Sequence, residues 1–407
     1  MAMFFEKGVP PSARFAYRRD AWSGMLFAVM SGLTMPFFMV IARGNLKASP
    51  FQISVLSMMQ LAPQVLSLLW ASMMEGRRKM PFAVLGWIAS RSLFLLAAFV
   101  TTSWSFVAMV SLFYVLETIS GPAYSALMKE IYPDSDRGRI MGYARVCTLA
   151  VIPVVCLIAG PLLHGDNYRF VFPVAAMFGL ASAMVFRDIP TKETHGDPSV
   201  PLHEFVKNSV RILREDRGFR WFSTGIFVCG FANIMLGPLF VLYQVDTLKV
   251  NTNWASLYVV IYSPVAMLSY IFWGSYIDRK TSNEAVAACT ILLALVPVGY
   301  CFATQAWMIL PISMFVAILS AGFELGYANG VLQYAPEDKI GLYQGVFNSL
   351  MGIRGLVAPF VGVALYQSGL MPMKAIFVLC AGIMLLAAAI QYHGAQTRRL
   401  IQEDANR

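Results

Sequence analysis

Charge is what this chain has least of. Lys, Arg, Asp and Glu make up 13% of its 407 residues, about half the share of a soluble protein. Mean hydropathy is +0.62. Water cannot solvate so apolar a surface, so the chain reads as a polytopic membrane protein. Histidine is scarce too: His164, His195, His203 and His393 are the whole set, and no two have metal-ligand spacing. No ordered His/Asp/Ser constellation exists for nucleophilic catalysis, so no enzyme activity and no cofactor are expected. The six cysteines (Cys147, Cys156, Cys229, Cys289, Cys301 and Cys380) fall inside apolar runs and make no C-x-x-C, which excludes a disulfide framework and a zinc site. No phosphate-cradling Gly-Lys-Ser/Thr loop is present, so ATP is not the direct energy source. A net charge of +9 does not imply nucleic acid, because the basic residues sit in short segments between apolar runs.

What the chain has is a repeat of half its own length. At an offset of 203 residues Glu75 answers Asp278, Trp104 answers Trp307 and Pro133 answers Pro336. One pairing is slipped by one: Met35-Pro36-Phe37-Phe38 running to Leu46-Lys47 answers Gly237-Pro238-Leu239-Phe240 running to Leu248-Lys249. A period of half the chain in so apolar a sequence indicates one helical bundle, duplicated and fused.

A helix needs about 20 residues to cross a bilayer. Six such runs occur in each half: 20–43, 51–74, 81–101, 104–130, 139–163 and 168–187, then 219–244, 253–276, 284–303, 307–333, 341–368 and 373–393. The expected division is a cytoplasmic N-terminal segment 1–19, a six-helix bundle 20–187, a cytoplasmic linker 188–218, a second six-helix bundle 219–393 and a C-terminal tail 394–407. The first run is too long for a signal-peptide core and has no clear cleavage site, so it is retained as a span. In the linker, Leu202, Phe205, Val206, Val210 and Leu213 recur at helical spacing against Lys207, Arg211 and Arg214. That pattern indicates an amphipathic helix on the inner membrane face. With the N-terminus inside, the cytoplasmic segments hold 23 of the 31 Lys and Arg, which places both termini in the cytoplasm.

Gly274-Ser275-Tyr276-Ile277-Asp278-Arg279-Lys280, after span eight, resembles the Gly-x-x-x-Asp-Arg loop of the major facilitator superfamily. The copy after span two keeps Glu75 followed by Gly76-Arg77-Arg78-Lys79 but lacks the leading glycine and the usual spacing. Pro133-Asp134-Ser135-Asp136-Arg137-Gly138-Arg139 after span four, and Gly352 to Gly362 in span eleven, are also similar to the family. The resemblance covers essentially the whole chain. It implies an all-α membrane protein with 12 transmembrane helices in two pseudo-symmetric bundles, a rocker-switch transporter in a bacterial inner membrane, and a monomer. Its loops imply latches through Glu75, Arg77, Arg78, Arg137, Arg139, Gly274, Asp278 and Arg279. The family's antiporter signature in span five is reduced here to Ala159-Gly160-Pro161.

Five ionisable groups lie at depth: Arg91, Glu117, Arg145, Glu324 and Arg354. Such groups face a cavity or a partner. At about 1.5 Å per residue, Glu117 and Arg354 are ~20 Å from their inner helix ends, Glu324 ~13 Å and Arg145 ~9 Å. The resemblance implies that spans one, four, seven and ten line a central cavity. Glu324 answers Gly121, one turn from Glu117, so the acids are quasi-equivalent. They are the expected proton carriers. The alternative is structural pairing, Glu324 with Arg354 and Glu117 with Arg91 or Arg145. Arg354 suits an anionic group, Arg145 is expected to snorkel to the surface, and Arg91 to brace span three. Tyr114, Asn233, Tyr243, Gln244, Tyr262, Tyr327, Asn329 and Asn348 enrich the same layer and suit an amphipathic organic solute. The expected activity is proton-coupled export of such a solute. The alternatives are uptake of an organic anion through Arg354, copper(I) transport past Met35 and Met39, and an intramembrane enzyme or sensor on a transporter scaffold. The expected partners are a small molecule, protons and the lipid bilayer.

Overall fold

The computed structural model describes residues 4–74, 77–133, 136–191, 211–279, 282–336 and 339–405. Among them every regular element is helical. Eleven helices are long and apolar enough to cross a membrane. The expected span two falls short of that because it is broken: a helix Pro50–Met59, a 3-10 segment Ala62–Leu66 and a helix Ser67–Met73. Pro63 explains the break, since its ring would clash with the carbonyl four residues back, that of Met59 where the first piece ends. Pro36 interrupts span one in the same way, with a 3-10 turn Met35–Phe37. Pro122, Pro153, Pro161, Pro238, Pro264 and Pro359 remain inside long helices, as membrane helices tolerate.

The chain divides into two compact units. The first is 1–52, 66–199 and 250–260; the second is 53–65, 200–249 and 261–407. In the first, span one packs on spans five and six, and span three on spans four and six. In the second, span seven packs on eleven and twelve, and span nine on ten and twelve. The helix neighbours are thus those of one bundle, repeated. Each unit also includes a piece of the other half of the sequence. In the first unit Ser256, at the start of span eight, donates to the Cys156 carbonyl of span five. In the second, Ser54, at the start of span two, donates to the Pro359 carbonyl of span eleven at 3.3 Å. A Cβ at Gly160 would lie 2.7 Å from the Cβ of Ser256, so span eight needs a glycine there to approach span five.

Packing rather than water exclusion holds membrane helices together. In the first unit Phe38 of span one meets the rings of Phe94, Phe106, Phe113 and Phe172 at centroid distances of 5.6 to 6.4 Å, all tilted or edge-on. Those are the favoured aromatic geometries. Helix starts follow capping chemistry: Thr102 and Ser105 form a capping box before span four, and Asp216 accepts from the Phe219 amide before span seven at 2.8 Å. Tyrosine hydroxyls also close the ends of spans three and nine, where Tyr168 donates to the Val100 carbonyl and Tyr243 to the Ala303 carbonyl, each at 2.8 Å. The two acceptors are 203 residues apart, the period read in the sequence.

Candidate functional site

In the first unit Arg91 and Glu117 meet in one clasp. Arg91 of span three is 3% exposed. Its Nη1 donates to the Gly179 carbonyl at 3.1 Å and to Ser182 Oγ at 2.9 Å, both on span six. Its Nη2 donates to Glu117 Oε1 of span four at 3.4 Å. The guanidinium lies 4.6 Å from the Phe27 ring centre on span one and 4.8 Å from that of Trp87. Glu117 Oε2 accepts from Ser90 at 2.5 Å. Ser23 and Ser182 exchange hydrogen bonds between spans one and six at 3.0 and 2.8 Å. Four helices therefore share one ion pair and its donors. Most of its hydrogen-bonding capacity is used, as a charge pair in hydrocarbon requires. Arg91 takes Glu117 as its partner, whereas Arg145 is exposed.

The second unit is built differently. Arg354 of span eleven is half-buried, and its Nη1 donates to the Ile226 carbonyl of span seven at 2.8 Å. Gly230, one turn along span seven, makes this possible: a Cβ there would overlap the guanidinium. Tyr327 of span ten lies alongside, and the buried Nε has no hydrogen-bond partner. Glu324 is not part of this group. It is exposed, and its Oε2 accepts from the Tyr270 hydroxyl of span eight. The structure therefore does not join Glu324 to Arg354.

The other expected site residues scatter. The Tyr243 hydroxyl is committed to Ala303 and Gln244 Nε2 to the Tyr300 hydroxyl at 2.6 Å. Tyr262 donates to Ser320 at 2.7 Å. Tyr114 packs edge-on against Phe38 at 6.1 Å, and Tyr327 meets Phe323 tilted and Phe347 edge-on. Asn233, Asn329 and Asn348 are exposed, with Asn348 accepting from Gln344 at 3.2 Å. Among the latch residues, Arg137 donates to the Met128, Lys129 and Tyr132 carbonyls, so it caps the end of span four. Arg139 pairs with Asp136 at 2.5 Å, and Arg77 and Arg78 are exposed. Glu75, residues 202–210 of the linker and the side chains of Asp278 and Arg279 lie outside the described residues, and Gly274 falls within the helix Thr252–Arg279. Among those described, no group of three or more His, Cys, Asp or Glu could hold a metal.

Sequence reasoning missed Asp20. It is 5% exposed in span one, where Oδ1 accepts from Tyr124 at 3.3 Å and Oδ2 from Tyr132 at 3.0 Å. Following Arg18 and Arg19, it reads as an interfacial charge, and its burial depends on helices more than 100 residues away.

The major facilitator superfamily model matches residues 21–359 and, in a second register, 222–395. The chain belongs to that superfamily. It is similar to the class G tetracycline resistance protein of Vibrio anguillarum, 23% identical over 263 residues that cover 61% of this chain and 64% of that one. It is also 23% identical to the class C tetracycline resistance protein of Escherichia coli over 254 residues, 61% and 63% of the two chains. The chain spans slightly under two thirds of the length of these relatives. Among solved structures it is similar to the nucleoside transporter NupG, with a TM-score of 0.77 at 10% identity, covering 93% of this chain and 99% of that one. The human organic anion transporter MFSD10 gives a TM-score of 0.64 at 13% identity, covering 94% and 100%. At such identities these two likenesses show the fold alone. The family match and the apolar helices establish an integral membrane protein of this superfamily.

Proposed function

We propose that the chain is a proton-coupled secondary transporter of a bacterial inner membrane, with both termini cytoplasmic, which exports an amphipathic organic solute by alternating access. The observation that carries proton coupling is Glu324. It is an in-span carboxylate with a phenol donor and no ion pair among the described residues, so it can take up a proton without leaving a described cation unpaired. Glu117, already paired with Arg91, is the second carrier; protonating it would release Arg91 as well. Relatives named for resistance to tetracycline, an amphipathic organic molecule, support export. A solute of that type suits the amide and phenol groups of Asn233, Tyr262, Tyr327, Asn329 and Asn348.

Reconstituted protein tests this reading. With an imposed pH gradient, solute flux should be lost in Glu324→Gln, while gradient-free exchange of solute persists. If Glu324→Gln and Glu117→Gln both keep gradient-driven flux, the carriers are wrongly assigned. Arg354 favours a second reading, uptake of an organic anion, because its guanidinium is in no described ion pair and its Nε is unpartnered. Binding of organic anions that is abolished in Arg354→Gln would turn the assignment that way.

A further inference from the structure

We propose that Asp20 is a proton-binding site whose hydrogen bonds from span one to Tyr124 and Tyr132 are rearranged when it is protonated. The geometry carries this. In the first unit Glu6 pairs with Arg18, Glu117 with Arg91, Asp136 with Arg139, Asp166 with Arg169 and Asp188 with Arg19. Among the described residues Asp20 is in no ion pair. It is buried, and the partners described for it are two phenols. A carboxylate offers about four lone-pair positions, so two neutral donors leave its ionised form short of partners in a low-dielectric setting. Phenols are acceptors as well as donors. The same two tyrosines can therefore accept from a protonated Asp20, and the site has a hydrogen-bonded arrangement for each of its states.

Among the described residues no group around Asp20 neutralises its charge. On the same helix Tyr17 acts on Tyr132 and shares its buried cluster. Span four supplies Tyr124 and Tyr132. Span five supplies Cys147 and Tyr143 beside Tyr17, and Arg145, which acts on Tyr124 and is itself exposed. Span three contributes Ala83 and Trp87 to the cluster, and span six Phe186. The charges at the rim, Glu6 and Asp188, are already paired with Arg18 and Arg19. Tyr132 lies just past the end of span four. Burial, and then Asp20 itself, push its phenol above the usual tyrosine range, so it stays a donor throughout the pH range in which a carboxyl titrates.

Protonation has a mechanical consequence. Tyr124 on span four and Tyr132 just past its end are eight residues apart, about 12 Å at helical rise, and the ionised carboxylate holds both. Protonation turns one oxygen into a donor and a weaker acceptor, so the phenol bond to that oxygen weakens or reverses. The hydrogen-bonded link from span one to Tyr124 and Tyr132 is then set by proton occupancy, at a place separate from Glu117 and Glu324. The coupling of this proton to solute rests on the proton-driven reading above; the binding of the proton does not.

Infrared difference spectra of the reconstituted full-length protein, between about pH 5 and pH 8 where perturbed carboxyls titrate, test the site. The carboxylic C=O band should persist in a Glu117→Gln/Glu324→Gln double variant and be lost in Asp20→Asn. Tyr132→Phe, which keeps the carboxyl and removes one donor, should move the band's frequency, so the test survives a poorly folded Asp20→Asn. A band unmoved by both Asp20→Asn and Tyr132→Phe overturns the proposal. Solute-driven proton movement in the same liposomes is read separately. If it is absent while the band still depends on Asp20, the proton-coupled transport reading fails and the site stands.

Discussion

Lys47 and Lys249 hold the same left-handed backbone, with φ of 53° and 55°, at the same place in the two halves. Each follows a π-helical turn, Ile41–Asn45 and Tyr243–Thr247. Each turns its ammonium back to the carbonyl three residues earlier, that of Gly44 or Asp246, at 2.7 Å. The amides of Leu46 and Leu248 close the turns onto Ile41 and Tyr243 at 3.0 Å. The separation is 202 residues, so the one-residue slip seen in the sequence repeat is a real shift of this helix end.

A lysine in that conformation is strained by roughly 1–2 kcal/mol. Lys249→Gly is therefore expected to leave thermal stability unchanged or raise it slightly. Lys249→Val, β-branched and without the ammonium, should lower it. Unfolding in detergent, followed by tryptophan fluorescence, reads both; equal melting temperatures would contradict the strain.

The Arg91 clasp predicts an asymmetric pair of variants. Arg91→Met leaves Glu117 at depth without its cation and should cost about 3–5 kcal/mol. Adding Glu117→Gln removes the orphaned charge and should recover part of that loss. A double variant no more stable than Arg91→Met would mean that the pair does not carry the stability of this bundle.

Gly230 predicts a steric effect on Arg354. In Gly230→Ala the new methyl displaces the guanidinium from the Ile226 carbonyl, at a cost of roughly 1–3 kcal/mol. In an Arg354→Ala background the same change should cost little, because the clash is gone. Additive losses in a thermal-unfolding double-mutant cycle would rule out the contact.

Gly160 and Gly142 form a matched comparison on span five. A Cβ at 160 meets Ser256 at 2.7 Å and the Asn253 Cα at 3.3 Å, whereas one at 142 meets nothing within 4 Å. Gly160→Ala should lower the melting temperature. Gly142→Ala should hold or raise it, since alanine is favoured over glycine in a helix by about 1 kcal/mol.

Much of the fold was legible because its causes are local or periodic. The half-chain repeat, the apolar runs and the Arg137 loop follow from residue order, and the repeated helix packing agrees with them. Span two shows the limit: apolar residues 51–74 read as one helix, yet Pro63 divides it. The site was only partly legible. Arg91 and Glu117 were open to pairing from their depths alone, but Glu324 and Arg354, on neighbouring spans, take Tyr270 and Ile226 instead.

By itself the sequence determined that this is a duplicated helical membrane protein. Apolar length and repeat period are properties of the chain, and a bilayer admits few structures that satisfy the backbone. The tertiary structure decided which charges are paired, because pairing depends on helix rotation and on close approach at single glycines such as Gly230. It also decided that Asp20, which follows two arginines in the chain, is buried without a cation between two tyrosines of span four.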